Sequence, residues 1–168
     1  MTANESDRHF VLDLEERPFV GVTRTVTMST IRDVADQIPR LLRWLGERGQ
    51  APAGAPFLRY LVIDMAGDMV IQAGVPVTRP LEVSDDLEAG VLPAGRYVTT
   101  THVGPFEGLY DATGELLQWA GERDLHFDHH PSDRGDVWGS RVEWYETNIL
   151  EQPDAAQWVT RLTFRLAD

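Results

Sequence analysis

LLRWLGER, residues Leu41–Arg48, returns as LLQWAGER, residues Leu116–Arg123, with six of eight positions identical and the copies 75 positions apart. In a chain of 168 residues that distance nearly halves the sequence, so the fold is read as two related units. Val20–Met28 (VGVTRTVTM) precedes the first copy and Gly95–Val103 (GRYVTTTHV) the second; both are rich in β-branched residues and read as strands. After the first copy come a Gly/Pro-rich loop (GERGQAPAGAP) and two strand-like runs, Phe57–Met65 and Met69–Val77, around an Ala66-Gly67-Asp68 turn. After the second, DLHFDHHPSDRGD reads as a loop, and WGSRVEWYETNI and WVTRLTFRL are the matching strands across ILEQPDAAQ. Each half is therefore strand, helix, strand, strand.

The helices carry the expected apolar stripe. Ile31, Val34, Ala35, Ile38, Leu41, Leu42 and Leu45 recur at helical spacing, with Ser29 or Thr30 as cap and Pro39 marking a kink or a short first turn ahead of the main helix. In the second half Leu109, Ala112, Leu116 and Ala120 share one face, and Gly104-Pro105 marks the start. The segment from Pro80 to Gly95 is acidic and turn-rich and reads as the crossing between halves. The expected architecture is one α+β domain over residues 1–168, with repeat 1 at about 10–80, a linker at about 81–92 and repeat 2 at about 93–168. Its tandem units would form one antiparallel sheet with two main helices and a ligand cleft between the repeats.

Composition narrows the function. The chain has no cysteine, which excludes disulfides, thiol catalysis and Cys-ligated zinc. Its net charge of −12 repels phosphate backbones and anionic lipid, so neither direct nucleic-acid binding nor a membrane role is expected. The charged N-terminus does not read as a signal peptide, and no apolar run approaches the roughly 20 residues needed to span a bilayer, so a cytoplasmic location is expected. G-x-S-x-G, G-x-G-x-x-G and the Walker pattern are all absent, leaving serine hydrolysis and nucleotide binding without a motif.

One strand stands out chemically. In RVEWYETN, Arg141–Asn148, alternation puts Arg141, Glu143, Tyr145 and Thr147 on one face and Val142, Trp144 and Glu146 on the other. Whichever face is buried, a carboxylate lies beside an aromatic ring. A pocket-facing Glu143 would pay several kcal/mol for desolvation unless a cation pairs with it; the competing reading is an ion pair with Arg141 or Arg161 on a wetted face.

The stretch LPAGRYVTTTHVGPFEGLYDATGELLQWAGER, with VEWY and WVTRLTF further on, resembles the GyrI-like small-molecule-binding family, met also as the effector-binding domain of AraC-type and MerR-type drug-sensing regulators. The resemblance runs from about Val11 onward, and with no helix-turn-helix ahead of it the chain looks like the stand-alone form. It implies a pocket between the repeats that takes hydrophobic, planar, often cationic compounds, with no cofactor. Glu143 and Tyr145 match the family's E-x-Y element, Gly95-Arg96-Tyr97 its G-R-Y, and His102-Val103-Gly104-Pro105 its H-x-G-P. Where many relatives follow E-x-Y with Asp-Pro, this chain has Asn148-Ile149-Leu150. The resemblance makes Tyr60, Tyr97, Tyr110, Trp138 and Tyr145 the pocket candidates, while Trp44 and Trp119 at equivalent repeat positions read as packing. His102 is a candidate ligand donor or an ordinary hydrogen-bonded residue.

Some relatives hydrolyse cyclopropane-bearing DNA-alkylating natural products, which implies catalytic roles for Glu143 and Tyr145 if this chain is an enzyme. Inhibition of a macromolecule such as a topoisomerase is a further association of the family. His126, His129 and His130 with Asp128, Asp133 and Asp136 do not match a zinc spacing, and no metal is expected.

Overall fold

A computed structural model describes residues 8–64 and 66–168. The first repeat supplies β2 (Arg17–Val26), a short α1 (Arg32–Ala35), α2 (Gln37–Glu47), β3 (Phe57–Ile63) and β4 (Met69–Pro76). The second supplies β6 (Gly95–Val103), α3 (Leu109–Gly121), the hairpin β7 (His129–Ser132) and β8 (Gly135–Trp138), then β9 (Arg141–Tyr145) and β10 (Val159–Arg165). A leading strand precedes each: β1 (Phe10–Leu14) and β5 (Glu88–Leu92).

The sheet order is β1-β6-β10-β9-β3-β4-β2-β5, with β8 on the end of β3 and β7 on β8. Its centre is the β3–β9 pair, where Phe57, Leu58 and Arg59 face Trp144, Glu143 and Val142. On either side the order reads second, third, first strand of a repeat, so the halves are related across this seam. The leading strands are exchanged. β1 pairs with β6 of the second repeat and β5 with β2 of the first, both antiparallel.

Only Glu15-Glu16 joins β1 to β2, and only Pro93-Ala94 joins β5 to β6. Two linking residues reach about 10 Å, yet β1 and β2 lie toward opposite ends of the sheet. The sheet must curl until its ends meet, and Leu14 and Glu15 accordingly line one recess with Leu92 and Pro93. The curl encloses an inner face filled by Phe19, Phe57, Leu92, Val142 and Trp144. Phe57 packs against Phe19 and Trp144 at centroid distances of 5.3 and 5.0 Å. Gly74 and Gly90 make room for it, since a Cβ there would run into the Phe57 and Phe19 rings respectively.

The outer face carries the helices. α2 seats Leu41, Trp44 and Leu45 on Val20, Val22, Leu58, Ile71 and Ala73, and α3 seats Leu116, Trp119 and Ala120 on Val98, Leu162 and Phe164. Removing such a fully buried leucine side chain costs about 2–5 kcal/mol. The duplicated octapeptide also explains how both helices stop. Arg48 lies 3.9 Å over the Trp44 ring and donates to the Trp44 carbonyl; Arg123 does the same to Trp119 at 4.2 Å. The chain then turns through a positive φ, at Gly49 (67°) and Asp124 (55°), so that Gln50 N–H reaches Leu45 O and Leu125 N–H reaches Ala120 O.

Several expectations are corrected. Ser29 and Thr30 do not cap a helix: Thr30 Oγ1 accepts from Thr27 N–H at 2.8 Å, and α1 begins without a side-chain cap. Pro39 takes the second of the two options, lying in the first turn of α2, where its missing N–H has no helical partner to lose. The His-rich stretch is not all loop, because β7 and β8 form within it. The crossing segment contains β5. The strand holding Glu143 ends at Tyr145, and Asn148 Oδ1 then accepts from Leu150 N–H in a turn. Met65, at the end of an expected strand, lies outside the described residues. No helix among the described residues is long and apolar enough to cross a membrane.

The two helix ends differ in the residue that takes the positive φ. Asp124 occupies the left-handed conformation that glycine fills in the first copy, at a cost of about 1 kcal/mol. Asp124→Gly is expected to stabilise the protein by about 0.5–1 kcal/mol and Gly49→Ala to destabilise it by about 1 kcal/mol, as read from urea denaturation midpoints.

Candidate functional site

Alternation along β9 aims Arg141, Glu143 and Tyr145 at the helix-bearing face and Val142 and Trp144 into the curl. On β10 the residues opposite them are Phe164, Leu162 and Thr160. On β3 Leu58 lies opposite Glu143, and Tyr60 follows on the same face. The α2 cluster takes in Tyr60 and Tyr145, whereas Trp138, Leu162 and Phe164 belong to the α3 cluster. Glu143 therefore sits where the two helix–sheet cores abut.

Its surroundings are unusual for a carboxylate. Glu143 is half-buried, and Tyr145 Oη donates to its Oε2 at 2.8 Å. Among the described residues it forms no ion pair within 4.0 Å; Arg161 lies on the other face and pairs with Glu146 at 3.7 Å. Burial pushes the Glu143 carboxyl up, while hydrogen bonding from Tyr145 and Tyr60 and the charge of Arg141 pull the other way without cancelling it. The same burial, with the carboxylate close by, pushes the Tyr60 and Tyr145 hydroxyls well up, so both remain donors at neutral pH. Arg141 is walled by rings, 4.7 Å from the centroids of Trp138 and Phe164 and 5.9 Å from that of Tyr60. Burial lowers its pKa.

The structure brings Tyr60, Glu143 and Tyr145 together, and of the remaining candidates Trp138 comes nearest. Trp138 is buried and stacks on His129 at 4.6 Å, meeting the group through Arg141. Tyr97 has the wrong strand parity: Val98 faces α3, so Tyr97 turns to the inner face, where its hydroxyl donates to Pro93 O at 2.6 Å. Tyr110 stands on the outer surface of α3 and is 76% exposed. His102 Nε2 is 2.8 Å from Pro105 O and braces the turn ahead of α3. His129 pairs with Asp136 at 2.8 Å, and among the described residues no group of three acids or imidazoles is arranged to hold a metal ion.

Two residues join the site that periodicity did not single out. Phe106 meets Tyr145 edge-on at 5.7 Å and Trp158 at 4.8 Å, closing the approach to Tyr145. Their signal was present only in the pairing of strand ends, since Val103 faces Val159 and delivers the two flanking turns to one place. Two surface recesses lie elsewhere. One of about 450 Å³, between β6 and α3, includes His102, and one of about 50 Å³ lies on the inner face. Neither is lined by Glu143, Tyr60 or Tyr145.

With this geometry in place, the comparisons with known proteins are decisive for the family. The model of the GyrI-like small molecule binding domain matches residues 9–133. The chain belongs to that family. Among solved structures, the C-terminal domain of EcmrR superposes with a TM-score of 0.74 at 19% identity, covering 95% of this chain and 97% of that one. The longer EcmrR chain in its DNA complex gives 0.75 at 19% identity, and this chain, 95% covered, spans 57% of it. SAV2435 bound to tetraphenylphosphonium gives 0.56 at 13% identity, covering 95% and 93%. A hydrolase from Listeria innocua gives 0.63 at 10% identity, covering 95% and 92%. At these identities the likeness is one of fold. No curated protein matches the sequence.

The raised carboxyl has a consequence for stability. An acid protonated more readily in the folded than in the unfolded chain contributes its full stability at pH below the ordinary carboxylate range and loses it as pH rises through the folded-state titration. Glu143→Gln keeps an acceptor for the tyrosines but carries no charge. Its melting temperature is expected to exceed that of the parent at pH 8, with the difference shrinking toward pH 4, as followed by circular dichroism.

Proposed function

We propose that this GyrI-like domain is a promiscuous receptor for hydrophobic, planar, preferably cationic small molecules, serving drug sequestration or sensing. The observation that carries the reading is Glu143 at the seam of the repeats, bonded by a tyrosine, flanked by a second, and lacking an ion pair among the described residues. A partly desolvated carboxylate favours a cation, and the faces of Tyr60 and Tyr145 add area and an attraction for positive charge. Rings tolerate many ligand shapes, while the carboxylate selects the sign of the charge. Phe106 and Trp158 are the side chains a guest displaces on entering. The tetraphenylphosphonium bound by SAV2435, a protein of the same fold, supports this chemistry.

Titration with a rhodamine-type cation or tetraphenylphosphonium, followed by tryptophan quenching, is expected to saturate at micromolar concentrations. Glu143→Gln should weaken binding roughly tenfold, about 1.4 kcal/mol, and leave a neutral ligand of the same shape unaffected. Because bound cation favours the ionised carboxylate, affinity should rise with pH through the Glu143 titration. Equal affinity in parent and variant would remove the carboxylate from the account.

A second reading is favoured by the same raised carboxyl. Glu143 beside two tyrosine hydroxyls is suited to deprotonate a water molecule, a role worth typically 10²–10⁴-fold, and a fold relative is a hydrolase. Here the chain would open cyclopropane-bearing alkylating natural products, with Tyr145 orienting the carboxylate. Mass spectrometry of such a compound incubated with the protein separates the two: catalytic formation of the ring-opened water adduct, lost in Glu143→Gln, supports hydrolysis, and stoichiometric binding alone supports the receptor.

A further inference from the structure

The inner face, opposite Glu143, holds a second group of charges that the ligand reading leaves unused. Arg17 opens β2 and Arg161 lies on β10, far apart in the sheet order, and the curl brings both onto Trp144. Their guanidinium carbons lie 5.1 and 5.9 Å from the Trp144 ring centroid. Both line the recess of about 50 Å³, together with Ser140 and Thr163.

We propose that this recess binds one small anion, of halide or carboxylate size, between Arg17 and Arg161 over Trp144.

The donors there outnumber the acceptors. Arg17 Nη2 donates to Ala53 O at 2.9 Å, and among the described residues Arg17 has no acid within 4.0 Å. Arg161 has Glu146 at 3.7 Å from its Nε, beyond hydrogen-bond distance. Glu15 reaches the rim but is exposed. Thr163 Oγ1 accepts from Trp144 Nε1 at 2.8 Å, so its own hydrogen is free to donate. Ser140 is 1% exposed, and its hydroxyl lies beside that of Tyr97, whose own hydrogen goes to Pro93 O. Two guanidinium groups over the Trp144 ring repel each other; burial and then the charge of Arg161 lower the pKa of Arg17, and the charge of Glu146 opposes them without cancelling. A monoanion between them removes that repulsion and receives the spare donors.

Size sets the class. The recess, about 50 Å³, exceeds the roughly 10–15 Å³ that a cavity needs by the same measure to hold one water molecule, which leaves room for a chloride, a bromide or a carboxylate end. Crystals soaked in sodium bromide test the site directly, with an anomalous peak expected between the two arginines and its height falling when formate competes. In solution, bromide and formate at ionic strength matched with sodium HEPES should each raise the melting temperature saturably, with at least tenfold weaker affinity in Arg17→Gln and in Arg161→Gln, and partial recovery in Arg161→Lys. A recess holding water alone in bromide-soaked crystals overturns the proposal, as does a melting temperature that follows ionic strength equally in parent and variants.

Discussion

Two links of two residues each govern this structure. Because Glu15-Glu16 and Pro93-Ala94 are too short to cross an open sheet, exchange of the leading strands between repeats is possible only if the sheet rolls until its ends meet. Rolling gives the two faces different fates. The inner one becomes a tight aromatic core in which Phe57 needs glycine at position 74, and the outer one stays broad enough to carry a helix from each repeat. The strip between the helices is the part of the outer face that neither helix covers completely, and β9 runs along it.

That placement turns the period-two alternation of a single strand into a separation of charge. Adjacent residues of β9 serve different faces: Glu143 joins tyrosines at the seam, and Trp144 lies under two arginines inside the curl. A one-residue slip of β9 would exchange these environments and bury a carboxylate among Phe19, Phe57 and Leu92. The register is protected by Trp144, whose ring packs on Phe57 and whose Nε1–H is bonded to Thr163 on the neighbouring strand. The aromatic beside the acid is thus part of what holds the acid in position.

The architecture was legible because its signals are periodic. The octapeptide repeat announced two units, and the apolar spacing at Leu41, Leu45 and Leu116 announced faces that the structure buries completely. Elements decided by long-range pairing were not legible. β5, β7 and β8 are only four or five residues long, and each exists because an edge elsewhere offers it hydrogen bonds, which local propensity does not record. The same limit governed the site. Glu143 beside Tyr145 follows from alternation, whereas Tyr60, a candidate through the family resemblance alone, meets them through the β3–β9 pairing, the parity of Tyr97 depends on where β6 meets β10, and Phe106 enters through a turn.

Arg141 shows why a nearby cation does not cancel the carboxylate. Coulomb attraction between Glu143 and Arg141 is present, yet the guanidinium lies against the rings of Trp138 and Phe164 and does not close to ion-pair distance. An arginine stacked on two rings is partly satisfied by their faces and is packed along its stem, so moving it to the acid would give up both contacts. The Glu143 field is therefore tempered while, among the described residues, its carboxylate keeps the Tyr145 hydroxyl as hydrogen-bond donor, with the Tyr60 hydroxyl also acting on it. A closed ion pair would have to be broken by any incoming ligand. In the receptor proposed above, a carboxylate held by hydroxyl groups, with its countercharge kept on aromatic rings, would take a cationic neighbour by letting a hydroxyl rotate.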